Sequence, residues 1–175
     1  EAYGETAPAG TLPPMALMRP NLLRYRTFSK AYGLAGMRVG YAIGTPHAIA
    51  GFDRIRNHFG VTKLSQIAAV TALADQDYLA QTLAAIAAGR EEIITRARGL
   101  GLKCIVSATN FVAIDCGADD TYATMVLTEM QARGIFIRKP AVPGLNRCIR
   151  MSVGTQKDIA LACDVLEDII GKISR

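Results

Sequence analysis

Apolar residues recur along the chain with the spacings of both helices and strands. Leu79, Leu83 and Ile86 begin a series at intervals of three and four residues, which predicts one long amphipathic helix over residues 77–98. Short apolar runs bounded by glycine, proline or charged residues predict strands. The predicted strands cover residues 21–26, 39–43, 103–106, 111–115, 135–138 and 148–153, and further helices are predicted over 47–56, over 122–133 and after residue 155.

Local start and stop signals bound these helices. Thr45-Pro46 is a helix-start signal, since proline suits the first turn of a helix. Thr155 with Asp158 has the form of a capping box, with Asp in place of the preferred Glu. Gly101 follows the long helix and predicts its end. The pattern therefore has an α/β part near the start and a compact α+β part from about residue 100, joined by helix.

Length and composition indicate a folded, soluble protein. The 175 residues are 50% hydrophobic and 20% charged, with a mean hydropathy of +0.20, which suits a globular core rather than disorder. No apolar run approaches the roughly 20 residues needed to cross a bilayer, and no signal peptide is visible. We therefore expect no membrane partner.

The net charge of +5 and the pI near 9.2 make nucleic-acid binding the first function to consider. The basic residues are scattered, however, without a basic helix, zinc-finger spacing or an aromatic-rich strand pair. We expect no nucleic-acid partner. The surplus arginines and lysines are better explained as ligands for small anions such as phosphate and carboxylate groups.

The cysteines and histidines show no metal-binding pattern. Cys104, Cys116, Cys148 and Cys163 contain neither a CxxC pair nor another ligand spacing, and the two histidines have no partners at useful spacing. Three of the cysteines lie at apolar positions of predicted elements, which predicts buried free thiols. We expect no metal, and free thiols favour a cytoplasmic location.

The stretch TFSKAYGLAGMRVG, residues 27–40, combines residue types suited to nucleophilic and phosphate chemistry. A lysine that attacks an aldehyde needs a lowered pKa and a fixed position. Thr27, Ser29 and Arg38 add two hydroxyls and a guanidinium close to Lys30, and such groups bind phosphate. Glycines let the backbone approach a bound group closely. A single lysine is usually a solvated surface residue, but the combination favours a cofactor site.

This string resembles the cofactor-lysine segment of fold-type-I, pyridoxal-phosphate-dependent class I/II aminotransferases. That segment has Ser/Thr-x-Ser-Lys, a glycine-rich stretch and an arginine eight residues after the lysine, as Arg38 lies eight residues after Lys30. The wording RTFSKAYGLAGMRVGY is similar to the histidinol-phosphate aminotransferase branch. The resemblance implies that Lys30 forms the Schiff base with pyridoxal 5'-phosphate and then transfers protons. It also implies that Thr27, Ser29 and Arg38 hold the cofactor phosphate.

The start of the chain fits the same register. The branch carries an Asp-Glu-Ala-Tyr motif with its tyrosine 27 residues before the lysine, and Glu1-Ala2-Tyr3 places Tyr3 at that distance from Lys30. The resemblance implies that Tyr3 hydrogen-bonds the cofactor's phenolic oxygen. A tyrosine half-buried beside a loop is the alternative. The family's aspartate, phosphate loop and ring-stacking aromatic would precede residue 1, so we expect the isolated chain to be incomplete for activity.

Three further residues are assigned to the substrate by resemblance. The segment NRCIRMSVGT, residues 146–155, is similar to the family strand that delivers an arginine to the substrate α-carboxylate, which makes Arg150 the match. The segment ATNFVAID is similar to another family segment and implies that Asn110 lines the site. Arg138 lies near the position of an arginine that contacts substrate phosphate in the branch. An arginine at a sheet edge and a surface arginine are the respective alternatives for Arg150 and Arg138.

The resemblance covers nearly the whole chain and implies its fold class. We expect an α/β fold, the C-terminal part of the three-layer α/β/α large domain of fold-type-I transferases, followed by a small α+β domain. The expected division is residues 1–63 for the end of the large domain, 64–99 for an interdomain helical segment and 100–175 for the small domain. A homodimer is also implied, because residues of both subunits complete each site in this family.

The implied reaction is transamination with pyridoxal 5'-phosphate as cofactor. The amino group would move between an amino acid, or an amino-alcohol phosphate such as histidinol phosphate, and a 2-oxo acid. The segment RNHFGV, residues 56–61, departs from the Pro-Phe/Tyr-Asn-Val run common in the branch and leaves the substrate open. A decarboxylase or lyase on the same scaffold, and a non-catalytic sensor domain of a regulator, are the alternatives.

Overall fold

The computed structural model describes residues 1–173 and divides into two compact units, Glu1–Leu83 and Ala84–Arg175. The helices are α1 Pro46–Asp53, α2 Lys63–Ala74, α3 Gln76–Gly99, α4 Asp120–Ala132 and α5 Gln156–Ile173, with a short 3-10 helix at Ala35–Met37. The strands are β1 Arg24–Thr27, β2 Gly40–Ile43, β3 Lys103–Cys104, β4 Phe111–Asp115 and β5 Cys148–Ser152. No helix within residues 1–173 is both long and apolar enough to span a membrane.

The sheet of the first unit is an antiparallel pair, β1 with β2. Its register runs from Arg24 opposite Ile43 to Thr27 opposite Gly40. The predicted helix start after β2 is confirmed, because the Thr45 side chain accepts a hydrogen bond from the Ala48 amide at 3.3 Å. The unit therefore holds the end of β1 and the start of β2 side by side.

The helical region after residue 62 consists of two helices, α2 and α3. Asp75 leaves the helical conformation between α2 and α3, with φ −92° and ψ 70°. Its carboxylate accepts a hydrogen bond from the Tyr78 amide at 3.0 Å, which caps the start of α3. The long helix predicted over residues 77–98 is confirmed and spans Gln76–Gly99. Gly101, with φ +77°, ends it in a conformation that costs glycine little.

The second unit has a three-stranded antiparallel sheet in the order β3-β4-β5. One face of this sheet is fully buried, because Val112 and Ile114 of β4 stand opposite Met151 and Ile149 of β5. Side chains of α3, α4 and α5 complete the same core. The opposite face carries Arg150, whose register partner on β4 is Ala113.

The last helix begins as the sequence predicts. The Asp158 amide donates to Thr155 Oγ1 at 3.3 Å, and the Thr155 amide donates to Asp158 Oδ2 at 3.2 Å. This reciprocal pair is a capping box, so an aspartate serves in the position where glutamate is more common. The predicted start of α5 is therefore confirmed at the level of individual hydrogen bonds.

Three predicted strands are clearly shorter in the structure, and one of them is the run 103–106, of which β3 covers only Lys103–Cys104. In the run 135–138 only Arg138 forms a β-bridge, with Arg150, and Pro140 follows with no amide proton to extend the pairing. The run 21–26 pairs only from Arg24, since β1 begins there. All four cysteines are free, and Cys116, Cys148 and Cys163 are buried. Burial raises the pKa of the Cys116 and Cys163 thiols to about 11, so both are neutral near pH 7.

Candidate active site

The end of β1 and the connection from β1 to β2 carry four of the predicted site residues. The connection begins after Thr27 and ends at Gly40, and these two residues pair in the sheet. The Phe28 amide donates to the Val39 carbonyl at 3.2 Å, which continues the ladder into the connection. Buried Phe28 also anchors the segment in the unit's interior. Ser29, Lys30 and Arg38 therefore lie on one loop that is held closed at its base, and Thr27 is the strand residue from which this loop begins.

The hydroxyl groups of Thr27 and Ser29 are hydrogen-bonded to each other. Thr27 Oγ1 donates to Ser29 Oγ at 2.9 Å and accepts from the Ser29 amide at 3.1 Å. A hydroxyl has one proton to donate. Because Thr27 donates its hydroxyl proton to Ser29, the hydroxyl proton of Ser29 is available for a different acceptor. This pair can therefore present a donor to an anion.

Lys30 lies beside Tyr3. Its Nζ is 5.4 Å from the centroid of the Tyr3 ring, within the range of a cation–π contact. Lys30 is exposed, although its neighbour Ala31 is buried. The buried neighbour fixes the backbone, while the amine stays accessible to a reactant. The structure thus brings together the predicted lysine and the tyrosine 27 residues before it.

Arg38 has an unusual backbone conformation. Its φ of 50° and ψ of 45° make it the non-glycine residue with positive φ among residues 1–173. Such a conformation carries strain and persists where neighbouring contacts impose it. Two contacts do so here, since Arg38 Nη1 donates to the Ala35 carbonyl at 2.7 Å and Ser65 Oγ donates to the Met37 carbonyl at 2.7 Å. The guanidinium is exposed and keeps further N–H groups for a ligand.

An ionic cluster that the sequence reasoning missed ties the start of the chain to β1. Glu1 pairs with Arg24 at 2.7 Å and with Arg26 at 2.8 Å, and Glu5 pairs with Arg26 at 2.8 Å. Burial acts to raise the pKa of Glu1, but hydrogen bonds and charge from the two arginines outweigh it, so the pKa of Glu1 is lowered. The signal in the sequence was Arg24 and Arg26 two apart on one strand, which places both side chains on one face.

Arg150 is half-buried on the face of the second unit's sheet that lies opposite the core. Its guanidinium carbon is 4.6 Å from the centroid of the Phe111 ring, a distance typical of stacked cation–π contacts. Its Nε is buried and has no hydrogen-bond partner within the described residues 1–173. An N–H group buried without a partner is costly. Stacking on Phe111 holds the Arg150 side chain in place, and its Nε, unpaired among the described residues, makes it suited to bind an anionic ligand.

Arg138 and Arg150 are opposite each other in an antiparallel bridge. Each backbone amide donates to the other residue's carbonyl, at 3.1 and 2.6 Å. Residues opposite each other in such a bridge point to the same side, and two like charges there repel. The Arg138 guanidinium is exposed and lies 6.0 Å from the Phe136 ring. Asn110 is half-buried just before β4, and its carbonyl accepts from the Val153 amide at 2.9 Å.

The fold, the residues around Lys30 and the residues around Arg150 are consistent with one family of proteins. A family model of class I and II aminotransferases matches residues 1–166. The chain belongs to this family, and its fold is that of the C-terminal part of a fold-type-I, pyridoxal-phosphate-dependent transferase.

Within this family, the chain is similar to proteins named histidinol-phosphate aminotransferase. The chain is 38% identical to histidinol-phosphate aminotransferase 2 of Ralstonia nicotianae, over 98% of this chain and 47% of that protein. It is 39% identical to histidinol-phosphate aminotransferase 1 of Thiobacillus denitrificans, over 97% of this chain and 44% of that protein. The chain thus spans about half the length of the curated relatives it matches.

A solved structure supports the same branch. The crystal structure of histidinol-phosphate aminotransferase from Sinorhizobium meliloti, in complex with pyridoxal-5'-phosphate, is 49% identical and superposes with a TM-score of 0.92. The superposition covers 99% of this chain and 48% of that one. The predicted family and fold class are therefore confirmed.

Proposed function

We propose that the protein containing this chain is a pyridoxal-phosphate-dependent aminotransferase. It moves an amino group between an amino acid, or an amino-alcohol phosphate such as histidinol phosphate, and a 2-oxo acid. The observation that carries the proposal is the placement of Lys30 Nζ at 5.4 Å from the Tyr3 ring. The relatives named histidinol-phosphate aminotransferase support the same activity.

The residues around Lys30 fit a cofactor that has an aldehyde, a phenolic oxygen and a phosphate. Ser29 has a hydroxyl proton that Thr27 does not use. Arg38 is exposed at the end of the same loop and offers a planar pair of donors. We assign the phosphate to Thr27, Ser29 and Arg38, and the phenolic oxygen to the Tyr3 hydroxyl.

Lys30 has the central chemical role in this proposal. Pyridoxal phosphate, when bound, supplies the electron sink for charge that develops at the substrate Cα. Lys30 would hold the cofactor covalently through Nζ, and the same Nζ, once free, would transfer a proton at the substrate Cα. Because Lys30 is exposed on its loop, its amine can reach both the cofactor and the substrate Cα.

The second unit supplies the substrate-binding residues in this proposal. Arg150 binds the substrate α-carboxylate through a bidentate guanidinium contact. Arg138 binds a second acidic group, such as the phosphate of histidinol phosphate, because it points to the same side of the sheet as Arg150. Asn110 lines the same site from the start of β4.

We also infer the larger organisation of the protein. Residues 1–63 form the end of the cofactor-binding large domain, 64–99 an interdomain helical segment and 100–175 the small domain. The intact protein is a homodimer that acts in the cytoplasm, with small-molecule substrates and neither nucleic acid nor membrane as partner. The free cysteines support a reducing compartment.

The test is a spectrum of the full-length protein with pyridoxal phosphate, before and after borohydride reduction. We expect a visible absorbance band that reduction removes, and a covalent adduct at Lys30 detected by peptide mass spectrometry. Lys30→Ala should lack both the band and the adduct. Lys63→Ala is the matched control, because Lys63 begins α2 outside the loop.

Transamination is then tested with histidinol phosphate and 2-oxoglutarate, with histidinol and aspartate as alternative donors. Turnover of an amino donor to its carbonyl product supports the proposal. A full-length protein with no visible band, or an adduct at a lysine other than Lys30, would refute it.

A further inference from the structure

The segment that carries Tyr3 is wrapped around one buried guanidinium. Glu1 Oε2 lies 2.8 Å from Arg26 Nε, and Glu5 Oε1 lies 2.8 Å from Arg26 Nη1. The three side chains are largely buried, with exposed fractions of 11% for Arg26, 17% for Glu1 and 10% for Glu5. Tyr3 is the residue midway between the two carboxylates. Both ends of its segment are therefore attached to the same side chain.

The backbone between the carboxylates lies directly against that guanidinium. A Cβ atom added at Gly4 would lie 2.3 Å from Arg26 Nη1 and 2.6 Å from Arg26 Cζ. Glycine therefore permits the close approach. Turn hydrogen bonds from the Gly4 amide to the Glu1 carbonyl, at 3.0 Å, and from the Thr6 amide to the Tyr3 carbonyl, at 3.1 Å, shape the segment. The backbone path of residues 1–5 is therefore set by close packing of Gly4 against Arg26 as well as by the ion pairs of Arg26 with Glu1 and Glu5.

Arg26 also belongs to the strand that leads into the lysine loop. It is followed by Thr27, the last residue of β1, and the loop with Lys30 begins there. Arg24, on the same strand, pairs with Glu1 and donates to the carbonyls of Pro13 and Pro14 at 3.0 and 2.9 Å. One strand thus fixes both the segment of Tyr3 and the base of the lysine loop.

We propose that Arg26 is a positioning residue of the active site, which holds Tyr3 beside Lys30 by binding the carboxylates on both sides of Tyr3. This inference rests on the proposed function, since Tyr3 is the residue assigned to the cofactor's phenolic oxygen. Arg26 acts through Tyr3 and does not contact the reacting atoms. A lysine cannot replace it, because one ammonium lacks the planar fork that reaches two carboxylates at once.

The first part of the test is made on cofactor-free, full-length protein. Arg26→Gln removes the charge, and Gly4→Ala pushes the backbone away from the guanidinium. We expect amide hydrogen exchange of the segment around Tyr3 to become about tenfold faster in both variants, the equivalent of one lost ionic hydrogen bond. Arg56→Gln is the matched control, because Arg56 pairs with Asp53 at 2.7 Å but is 58% exposed.

The second part measures the pH at which the visible band of the loaded protein titrates. Loss of a hydrogen bond to the cofactor's phenolic oxygen changes the proton affinity of the bound cofactor, and we expect Tyr3→Phe to raise the midpoint by about one pH unit. Arg26→Gln should raise it by a similar amount. In the Tyr3→Phe background, Arg26→Gln should add no further shift, because both changes remove one contact.

Several results would overturn the inference. The first is an unchanged midpoint in folded Arg26→Gln, and the second is a pair of shifts that add fully in the double variant. If Arg26→Gln does not fold, Arg26→Lys and Gly4→Ala are measured in its place, and normal exchange and a normal midpoint in both also refute it. A wild-type protein without any visible band would instead refute the proposed function, while the exchange data would still report whether Arg26 holds the segment.

Discussion

Arg150 has a buried N–H group that is unpaired within residues 1–173 and a like charge opposite it, and a bound anion would relieve the energetic cost of both. Its Nε is buried without a hydrogen-bond partner in the described part of the chain, and Arg138 stands opposite it with the same charge. An unmet buried donor costs about 1–3 kcal/mol. A carboxylate bound to Arg150 would satisfy the donor and reduce the repulsion between the two guanidinium groups. Stacking on Phe111 meanwhile keeps the plane of the guanidinium fixed.

This arrangement predicts the effect of Arg150→Lys in the full-length enzyme. We expect KM for the amino-acid substrate to rise about 10- to 100-fold, because lysine keeps the charge but loses the bidentate contact, worth about 1.4–3 kcal/mol. Steady-state kinetics with the wild-type and variant enzymes measure this change. Arg147→Lys is the control, since Arg147 is only three residues away but pairs with Asp115 at 2.8 Å. Equal changes in KM for both variants would contradict the assignment.

At the residue scale, the lysine loop and the distant pair of Tyr3 with Lys30 could be predicted from motifs, whereas the distant ion pairs could not. The lysine loop could be predicted because Thr27, Ser29, Lys30 and Arg38 lie within twelve residues. The contact of Arg26 with Glu1 joins residues 25 apart in sequence, and no spacing rule connects the start of a chain to a strand that follows a proline-rich loop. Such ion pairs depend on the path of the chain, which the sequence pattern alone does not specify.

Elements with strong periodicity and clear end signals were predicted best. The strand at Phe111–Asp115 and the long helix at Gln76–Gly99 agree with the sequence pattern to within about two residues. The helix α2 was predicted only as part of a helical segment over residues 64–99 and received no bounds of its own, because no glycine or proline marks its end at Asp75. The run before Lys139 has a strand-like composition but pairs at one residue. The extent of this strand therefore depends on the residues available to pair with it, rather than on the β propensity of its own residues.

The capping box of α5 predicts a measurable contribution to stability. Thr155→Ala removes the hydroxyl that accepts from the Asp158 amide, and we expect the free energy of unfolding to fall by about 1 kcal/mol. Urea denaturation followed by circular dichroism measures it. Thr124→Ala is the control, because Thr124 is an exposed residue inside α4 whose hydroxyl donates to the Asp120 carbonyl. A loss for Thr124→Ala as large as that for Thr155→Ala would contradict a specific role of the cap.

At the scale of the whole molecule, buried apolar side chains are distributed unequally between the two units. The core cluster, from Ile93 to Ile170, belongs entirely to the second unit. In the first unit the buried hydrophobic residues are Phe28, Ala31, Ala69 and Leu79, and two of these are alanines. Burial of apolar surface is the dominant stabilising contribution to folding. The second unit therefore contains most of the stabilising core of this chain.

This distribution predicts that a fragment of residues 84–175 folds on its own, whereas a fragment of residues 1–83 does not. We expect the former to unfold in urea in one sigmoidal transition, with a slope of about 1 kcal/mol/M, and the latter to lose signal gradually. Ile149→Val provides the internal check, because Ile149 of β5 is fully buried in the core of the second unit. It should cost about 1 kcal/mol in the fragment and in the full-length protein alike.

A fragment of residues 84–175 without a cooperative transition would show that its core forms only with the rest of the protein. A cooperative transition in which Ile149→Val has no effect would mean that the fragment adopts different packing. The expected result, equal costs in both contexts, would mean that the sheet carrying Arg150 is built by its own unit. The core that holds the proposed substrate arginine in place would then form without residues 1–83.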